Sequence, residues 1–301
     1  MISHIGHWAA LLTAFCWTLS AVCFTRAGER VGSLAVNLLR LLVALVLFAL
    51  YGVLVLGEVV PFSATRGAWF WLTLSGIAGF FVGDLCLFRS FLLIGPRLGM
   101  LIMALAPPMT ALIGGLALGE RLTPANWVGM AVTLAGVMWV ITETPAAHGH
   151  PEPVYRFNVR GGLLALLGSL GQAAGMVLAK LGLPGVKSPF AATEIRLLGG
   201  TACFVLLILA LRWHPAVFRA LRDRRAMATL GVGAVAGPFL GVTLIMFAIA
   251  RIPTGLAQTF ASLTPVLILP FMAVLYRERI SPRALGGALV ACAGVALLFV
   301  R

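Results

Sequence analysis

The chain has 301 residues, of which 61% are hydrophobic and only 10% are charged, and its mean hydropathy is +1.05. A soluble domain carries about 25% charged residues, so this composition excludes an ordinary water-soluble globular protein. The apolar runs are near the ~20 residues that a helix needs to cross a bilayer. They lack the apolar–polar alternation of barrel strands, and we therefore predict an all-α membrane protein.

The formal net charge is +13, which raises the question of nucleic-acid binding. The Arg and Lys residues lie mainly between the apolar runs, where membrane proteins carry them for orientation. No basic stripe interleaved with aromatic residues occurs in the sequence. We expect the partners to be the lipid bilayer and a small-molecule substrate, with no nucleic acid, and we expect a monomer.

Apolar runs bounded by charges, glycines and prolines predict ten transmembrane helices. The expected spans are 8–25, 34–56, 68–88, 98–118, 127–142, 159–179, 190–211, 227–249, 255–275 and 284–300. One long polar stretch with several prolines lies near mid-chain. The sequence therefore predicts a first half at residues 1–142, a linker at 143–158 and a second half at 159–301, with five spans in each half.

The two halves resemble each other in sequence. At a shift of 158 positions, Glu-Arg-Leu-Thr-Pro at 120–124 meets Glu-Arg-Ile-Ser-Pro at 278–282, and Gly79 meets Gly237. Near the second span, a shift of 156 aligns Arg40 with Arg196. Because five crossings is an odd number, the second half would enter the membrane upside down. Inverted repeats of this kind are the architecture of many secondary transporters, with a substrate site near the midplane.

The stretches at 104–136 and 262–294 carry a specific pattern: a small residue before Pro, then Glu-Arg-x-Ser/Thr-Pro, then Gly and Ala-Gly. This pattern resembles the EamA-type members of the drug/metabolite transporter superfamily. The resemblance covers nearly the whole chain and implies a carrier of ten helices, in two EamA repeats around a central cavity. Members move amino acids, nucleotide-sugars, drugs and other metabolites, so the resemblance does not fix the cargo.

From this resemblance we expect a secondary transporter that exports a small metabolite across the cytoplasmic (inner) membrane by alternating access. Bacterial amino-acid exporters are similar in length and layout, which makes amino acids the candidate substrate class. The superfamily's small multidrug pumps use an acidic residue of the first helix as their proton site. The first span here has none, so that coupling is not carried over.

A membrane channel or an intramembrane enzyme is the alternative function. The catalytic inventory is poor, because all five histidines lie in ends or loops and no phosphate-binding loop occurs. The five cysteines show no Cys-x-x-Cys spacing of a metal or redox site. We expect no enzymatic activity, no cofactor and no metal.

Ionisable groups inside a membrane are expensive and are functional candidates by default. Asp84 lies in the third expected span and Arg40 in the second, at a similar predicted depth, which favours an ion pair; Arg89 is a second possible partner. The pair could hold two helices together, or it could bind protons or substrate. Val242 occupies the equivalent of Asp84 in the second half, and an unshared charge favours function slightly.

Glu194 and Arg196 lie in the seventh expected span. They are two positions apart, so they do not face each other on a helix. Each therefore needs another partner or a water-filled cavity. Glu194 is a candidate for substrate binding or coupling, or alternatively an interfacial residue near Lys187.

Polar, aromatic and sulfur-containing side chains in four spans are the next candidates for substrate binding. They are Trp17 in the first span, Met100 and Met103 in the fourth, Gln172 in the sixth, and Gln258 and Ser262 in the ninth. A buried Gln can orient a ligand and a Trp can stack on one. Equally, Gln and Ser can bond a neighbouring helix, and Met and Trp can simply fill space.

Prolines in the fourth and ninth spans are hinge candidates. They are Pro107, Pro108, Pro265 and Pro270. Proline removes a backbone donor and frees a carbonyl within a helix, so each site can act as a hinge or as a static kink.

Orientation follows from the distribution of basic residues. The loops after the odd-numbered spans contain fourteen Arg, against six Arg and Lys on the other side. The positive-inside rule places the richer side in the cytoplasm and both termini outside. A cysteine introduced at Arg222, in the richest loop, should react with a membrane-impermeant thiol reagent only after the cells are permeabilised. Labelling in intact cells, relative to the parent protein, would reverse the assignment.

Overall fold

The computed structural model describes residues 4–143, 158–276 and 281–299, and all regular structure in these ranges is helical. Most of the expected linker, residues 144–157, lies outside the described residues. So do Glu278, Arg279 and Ile280 of the second copy of the Glu-Arg motif.

Ten helical segments of the described chain are long and apolar enough to cross a membrane, which confirms the predicted number. They are α1 Ile5–Val31, α2 Leu34–Val55, α3 Arg66–Gly95, α4 Leu98–Leu118, α5 Pro124–Glu143, α6 Val159–Gly185, α7 Pro189–Ala210, α8 Arg224–Ile249, α9 Thr254–Phe271 and α10 Pro282–Phe299. The helix that contains α9 continues to Tyr276.

Two segments run further than their apolar patterns indicate. The spans were expected to end at residues 25 and 88, next to Arg26 and Arg89, but α1 ends at Val31 and α3 at Gly95. Charged residues do not break a helix. The helices end where glycine takes a positive φ, at Gly32 (86°) and Gly95 (80°), a conformation that is strained for other residues.

The two halves share backbone irregularities at the same repeat spacing. Segment α3 contains a π-helical stretch at Ile77–Gly83, and α8 contains one at Val235–Gly241. These stretches are 158 positions apart, the spacing of the sequence repeat. Helical geometry is also interrupted at 104–105 in α4 and at 262–263 in α9, again 158 apart. The repeat is therefore visible in the backbone as well as in the sequence.

Three of the four hinge-candidate prolines lie directly after these interruptions. Pro107 and Pro108 are in the first turn of the helix Ala106–Leu118, and Pro265 is in the first turn of Thr264–Tyr276. A proline is tolerated there because the first N–H groups of a helix have no intrahelical partner. Pro270 differs, since its helix continues through it. Their action as hinges stays a prediction.

Segments α5 and α10 form a close antiparallel pair through glycines. A Cβ built on Gly294 would lie 2.5 Å from Oγ1 of Thr133, and one on Gly287 would lie 3.0 Å from the backbone nitrogen of Val140. Such distances leave no room for a side chain. Small residues that let backbones approach closely are the usual means of helix association in lipid.

The first helix of each half packs mainly against the other half. Segment α1 contacts α8 and α9, and α6 contacts α3 and α4. Glycines mark these two interfaces: Gly237 lies against the Ser20 side chain, and Gly175 lies against the backbone of Gly79. The halves defined by sequence are therefore interleaved in space.

A short surface helix, His214–Arg222, precedes α8. Asp223 follows it and caps the first turn of α8 by accepting a hydrogen bond from the Ala226 N–H (3.0 Å). Its other oxygen accepts a bond of 2.9 Å from Nε of Arg30 at the end of α1. The backbone donor and the Arg30 guanidinium hold the pKa of Asp223 below its usual range.

Substitution of Gly294 by Ala should destabilise the α5–α10 pair, because the added methyl meets Thr133. Overpacking of this kind typically costs about 1–3 kcal/mol, which should appear as a lower midpoint of thermal unfolding in detergent. Gly286→Ala, on the same helix, is the control. Its Cβ would meet only the ring of Trp139 at 3.8 Å, so its midpoint should equal or exceed that of the wild type, because Ala favours a helix more than Gly does. Equal midpoints for the two variants would contradict the packing described here.

Candidate functional site

The predicted ion pair between Arg40 and Asp84 is present in the structure. Nη2 of Arg40 on α2 donates to Oδ2 of Asp84, which directly follows the π-helical stretch of α3. The two side chains are 18% and 12% exposed. The Arg40 guanidinium also lies 5.6 Å from the ring centroid of Phe24 on α1. Arg89, the alternative partner, is exposed and forms no ion pair with Asp84 in the described chain.

Gln172 of α6 extends this pair. Its Nε2 donates to Oδ1 of Asp84 at 2.9 Å and to the carbonyl oxygen of Gly79 at 3.2 Å. Both partners are acceptors, so the hydrogen-bond network fixes the amide with its NH₂ group towards α3. Oε1 of Gln172 therefore points away from Asp84.

Arg196 of α7 also lies beside Gly79. It is 3% exposed, its guanidinium lies 5.0 Å from the ring centroid of Phe80, and Nη1 is 3.2 Å from Sδ of Met246 on α8. A Cβ on Gly79 would be 3.7 Å from Nη2 of Arg196 and 3.9 Å from Oε1 of Gln172. The site therefore has four members around the π-helical stretch: Arg40, Asp84, Gln172 and Arg196.

Trp17 of α1 faces a glycine of α8, just as Gln172 of α6 faces the equivalent glycine of α3. A Cβ on Gly241 would meet the indole of Trp17 at 2.7 Å, and one on Gly83, 158 positions earlier, would meet Nε2 of Gln172 at 3.3 Å. The two helices present different side chains to equivalent glycines.

The remaining candidates of α4 and α9 lie near the helix interruptions. Sδ of Met103 accepts a hydrogen bond of 3.7 Å from the Ser169 hydroxyl of α6, while the Met100 side chain is half-buried. Gln258 is 6% exposed, and the Ser262 hydroxyl bonds the Thr259 carbonyl within its own helix. No described hydrogen bond joins these four candidates to the ion pair, and their roles stay predictions.

Glu194 lies near the start of α7, two positions before Arg196, and is 5% exposed. The carboxylate of Glu58, in the α2–α3 loop, is close enough to repel it. The Ser63 hydroxyl, with a contribution from Lys187, holds the pKa of Glu58 below its usual range. Both alternatives for Glu194, a binding or coupling role and an interfacial position near Lys187, stay predictions.

A second ionic cluster was missed by the sequence analysis. Glu120, from the first copy of the Glu-Arg motif, accepts from Nζ of Lys180 (2.6 Å) through one oxygen. Its other oxygen accepts from the backbone nitrogen (2.8 Å) and hydroxyl (2.7 Å) of Thr254. Lys180 also donates to the Ile252 carbonyl at 2.9 Å. The sequence identifies Glu120 only as part of the repeated motif, and nothing in the sequence pattern links it to Lys180.

Comparison with known proteins agrees with the fold. The model of the EamA-like transporter family matches residues 4–142 and 159–300. No curated protein matches the chain, whereas 29 chains of solved structures do. One, described only as the crystal structure of a protein, has a TM-score of 0.74 over 98% of this chain and 96% of its own, at 19% identity. At that identity the likeness shows the fold alone.

The fold and the comparison define the class: a multi-pass helical membrane protein built from two matching five-helix units. The chain belongs to the EamA-like transporter family, within the drug/metabolite transporter superfamily. It is therefore a membrane transporter by family, as the sequence motifs indicated.

Replacement of Glu120 by Ala should destabilise the junction of α4, α6 and α9. It leaves the ammonium of Lys180 without a carboxylate, in a side chain that is 25% exposed, and it leaves two Thr254 donors without an acceptor. We expect a loss of up to about 3 kcal/mol in the free energy of unfolding, measured in detergent. Glu120→Gln retains an acceptor oxygen for Thr254 and should lose roughly 1 kcal/mol less. Equal losses would show that the Thr254 bonds contribute nothing.

Proposed function

We propose that this protein is a secondary carrier that exports a small metabolite across the cytoplasmic membrane by alternating access, with amino acids as the candidate substrates. The observation that carries the proposal is the match of both halves to a transporter family, with helix irregularities at equivalent positions in each. Irregular backbone within a membrane is tolerated where protein buries it or where it lines a cavity. Here the irregular stretches of α3 and α8 adjoin buried polar side chains.

We further propose that the two repeats are inverted and surround a central cavity. Because the two sequence halves interleave in space, we propose that the moving parts are two helix bundles that differ from the halves. Segments α1, α8 and α9 contact one another, as do α3, α4 and α6. Two bundles of this composition would move against each other around the site, instead of the two sequence halves. Broken helices in such bundles supply both the flexible points and the polar backbone of a transport site.

Asp84 is the proposed coupling residue. It is the carboxylate nearest the π-helical stretch of α3, and it is held by Arg40 and Gln172. A carboxylate that exchanges a proton in the membrane interior, while a guanidinium stays charged beside it, is a common element of proton-driven carriers. In our proposal, protonation weakens the Arg40–Asp84 pair and changes how α3 packs.

Purified protein in liposomes tests the transport proposal. We expect saturable uptake of at least one solute from a panel of amino acids and other small metabolites, at carrier rates. Currents far above carrier turnover would favour a channel instead. Chemical conversion of a panel member would favour an enzyme, and a failure to move any solute would count against a carrier.

Two substitutions of Asp84 separate coupling from folding. Asp84→Asn cannot titrate but keeps an oxygen for Arg40, so it should abolish the part of the flux that a pH gradient drives while leaving the yield near normal. Asp84→Ala leaves Arg40 unpaired and should mainly lower the yield, because an unpaired buried charge costs several kcal/mol. Full pH-driven flux by a well-folded Asp84→Asn protein would refute the coupling role.

A further inference from the structure

Arg196 is a buried guanidinium without a counter-ion. It is 3% exposed, and in the described chain no carboxylate forms an ion pair with it. Its contacts are an aromatic ring and a thioether, which is a weak acceptor, and its Nε has no hydrogen-bond partner. Arginine does not lose its proton in proteins. Such a charge is strongly unfavourable unless something compensates it.

Comparison of the two repeats shows what is missing. Arg40 and Arg196 occupy matching positions of α2 and α7. Arg40 is compensated by Asp84, but the residue at the equivalent of Asp84 is Val242, which is buried and apolar. One turn later on α8, Met246 provides the thioether that Nη1 of Arg196 contacts. The second repeat therefore keeps the cation and lacks the anion.

Gln172 and Arg196 approach the same point of α3. The position that a Cβ of Gly79 would take has no heavy atom from outside the helix closer than 3.7 Å, so a methyl group there would make only ordinary contacts. Nη2 of Arg196 and Oε1 of Gln172 are the two polar atoms nearest to it. Because the Gln172 amide is fixed by its bonds to α3, its Oε1 is an acceptor directed to the same region as a strong donor.

The charges of the site select the type of anion. With Asp84 ionised, one carboxylate lies among two guanidinium groups, Arg40 and Arg196, which leaves a single positive charge. A carboxylate group would supply the one negative charge that pairs with the Arg196 guanidinium, whereas a phosphate dianion would supply two. The planar guanidinium fork also fits a carboxylate well.

We propose that Arg196 binds a carboxylate group of the transported solute, with Gln172 accepting a hydrogen bond from a donor on the same molecule. This assignment rests on the proposed transport function, and it narrows the substrates to small carboxylates that carry a nearby donor, such as amino acids. The solute supplies in the second repeat the negative charge that Asp84 supplies in the first.

Thermal stability of the purified full-length protein tests this assignment without any transport. The probes are L-amino acids, each compared with its α-carboxamide, which keeps the ammonium group but lacks the carboxylate. At least one amino acid should raise the unfolding midpoint of the wild type, and its amide should not. Arg196→Gln should weaken the binding of that amino acid at least tenfold, since a charge-assisted bond is lost.

Two variants at Met246 test the site by adding a side chain beside Arg196 and leaving the arginine unchanged. Met246→Glu places a carboxylate within reach of Nη1 and should compete with the solute, so that its affinity falls at least tenfold below that of Met246→Gln. The Glu variant should also unfold at a higher temperature than the Gln variant in the absence of solute, since it supplies the missing counter-ion. Gly286→Ala on α10, remote from the site, should bind as the wild type does.

The outcomes distinguish the inference from the function on which it rests. Equal stabilisation by amides, no stabilisation by any amino acid, or an unchanged response of Met246→Glu would mean that Arg196 only stacks on Phe80, and the inference would be wrong. If solutes nevertheless cross liposomes, the transport proposal stands alone. If amino acids bind through Arg196 but none crosses, binding is established and transport is refuted.

Discussion

A bilayer offers the backbone no hydrogen-bond partners, so each irregularity of a spanning helix must be satisfied from within the protein. In this chain, side chains on the first helix of each half donate hydrogen bonds to the irregular backbone of the other half. Thr13 of α1 donates to the Gly241 carbonyl in α8, and Gln172 and Ser169 of α6 donate to carbonyls of Gly79 in α3 and Ile102 in α4. These bonds require α1 to pack against the second half and α6 to pack against the first half. The need to satisfy the irregular backbone therefore explains why the halves interleave.

The packing of α6 against the first half also brings together the residues of the charged site. Arg40 and Asp84 come from α2 and α3 of the first repeat, while Gln172 and Arg196 come from α6 and α7 of the second. Glycines at the crossing of α3 with α6 and α7 make this possible: Gly79 lies against Gly175, and a side chain at Gly76 would strike the backbone of Arg196. Close approach of these helices therefore fixes the polar groups within a few ångströms of one another in a medium that amplifies their interactions.

Much of the fold was predictable because its signals are local or repeated. Apolar length indicated the spans, the 158-residue repeat indicated five helices per half, and depth alone indicated the Arg40–Asp84 pair. The π-helical stretches have no marked sequence signature. The boundaries expected next to Arg26 and Arg89 are wrong because a charged residue does not end a helix. Contacts between residues far apart in sequence, such as Glu120 with Lys180 or Arg196 with Met246, depend on how the helices pack. This packing cannot be read from the residue pattern of one sequence.

Function is expected where the repeats differ, because their common features suffice for the scaffold. Equivalent glycines, Gly83 and Gly241, face Gln172 in one repeat and Trp17 in the other. Only the amide can act in two directions: its nitrogen donates to Asp84, and its oxygen faces the region of Arg196. A movement that separated α6 from α3 would break the Gln172–Asp84 bond while the Arg40–Asp84 pair, within one repeat, persisted. In the proposed transport cycle, the amide would connect the acidic residue with the region of the uncompensated arginine.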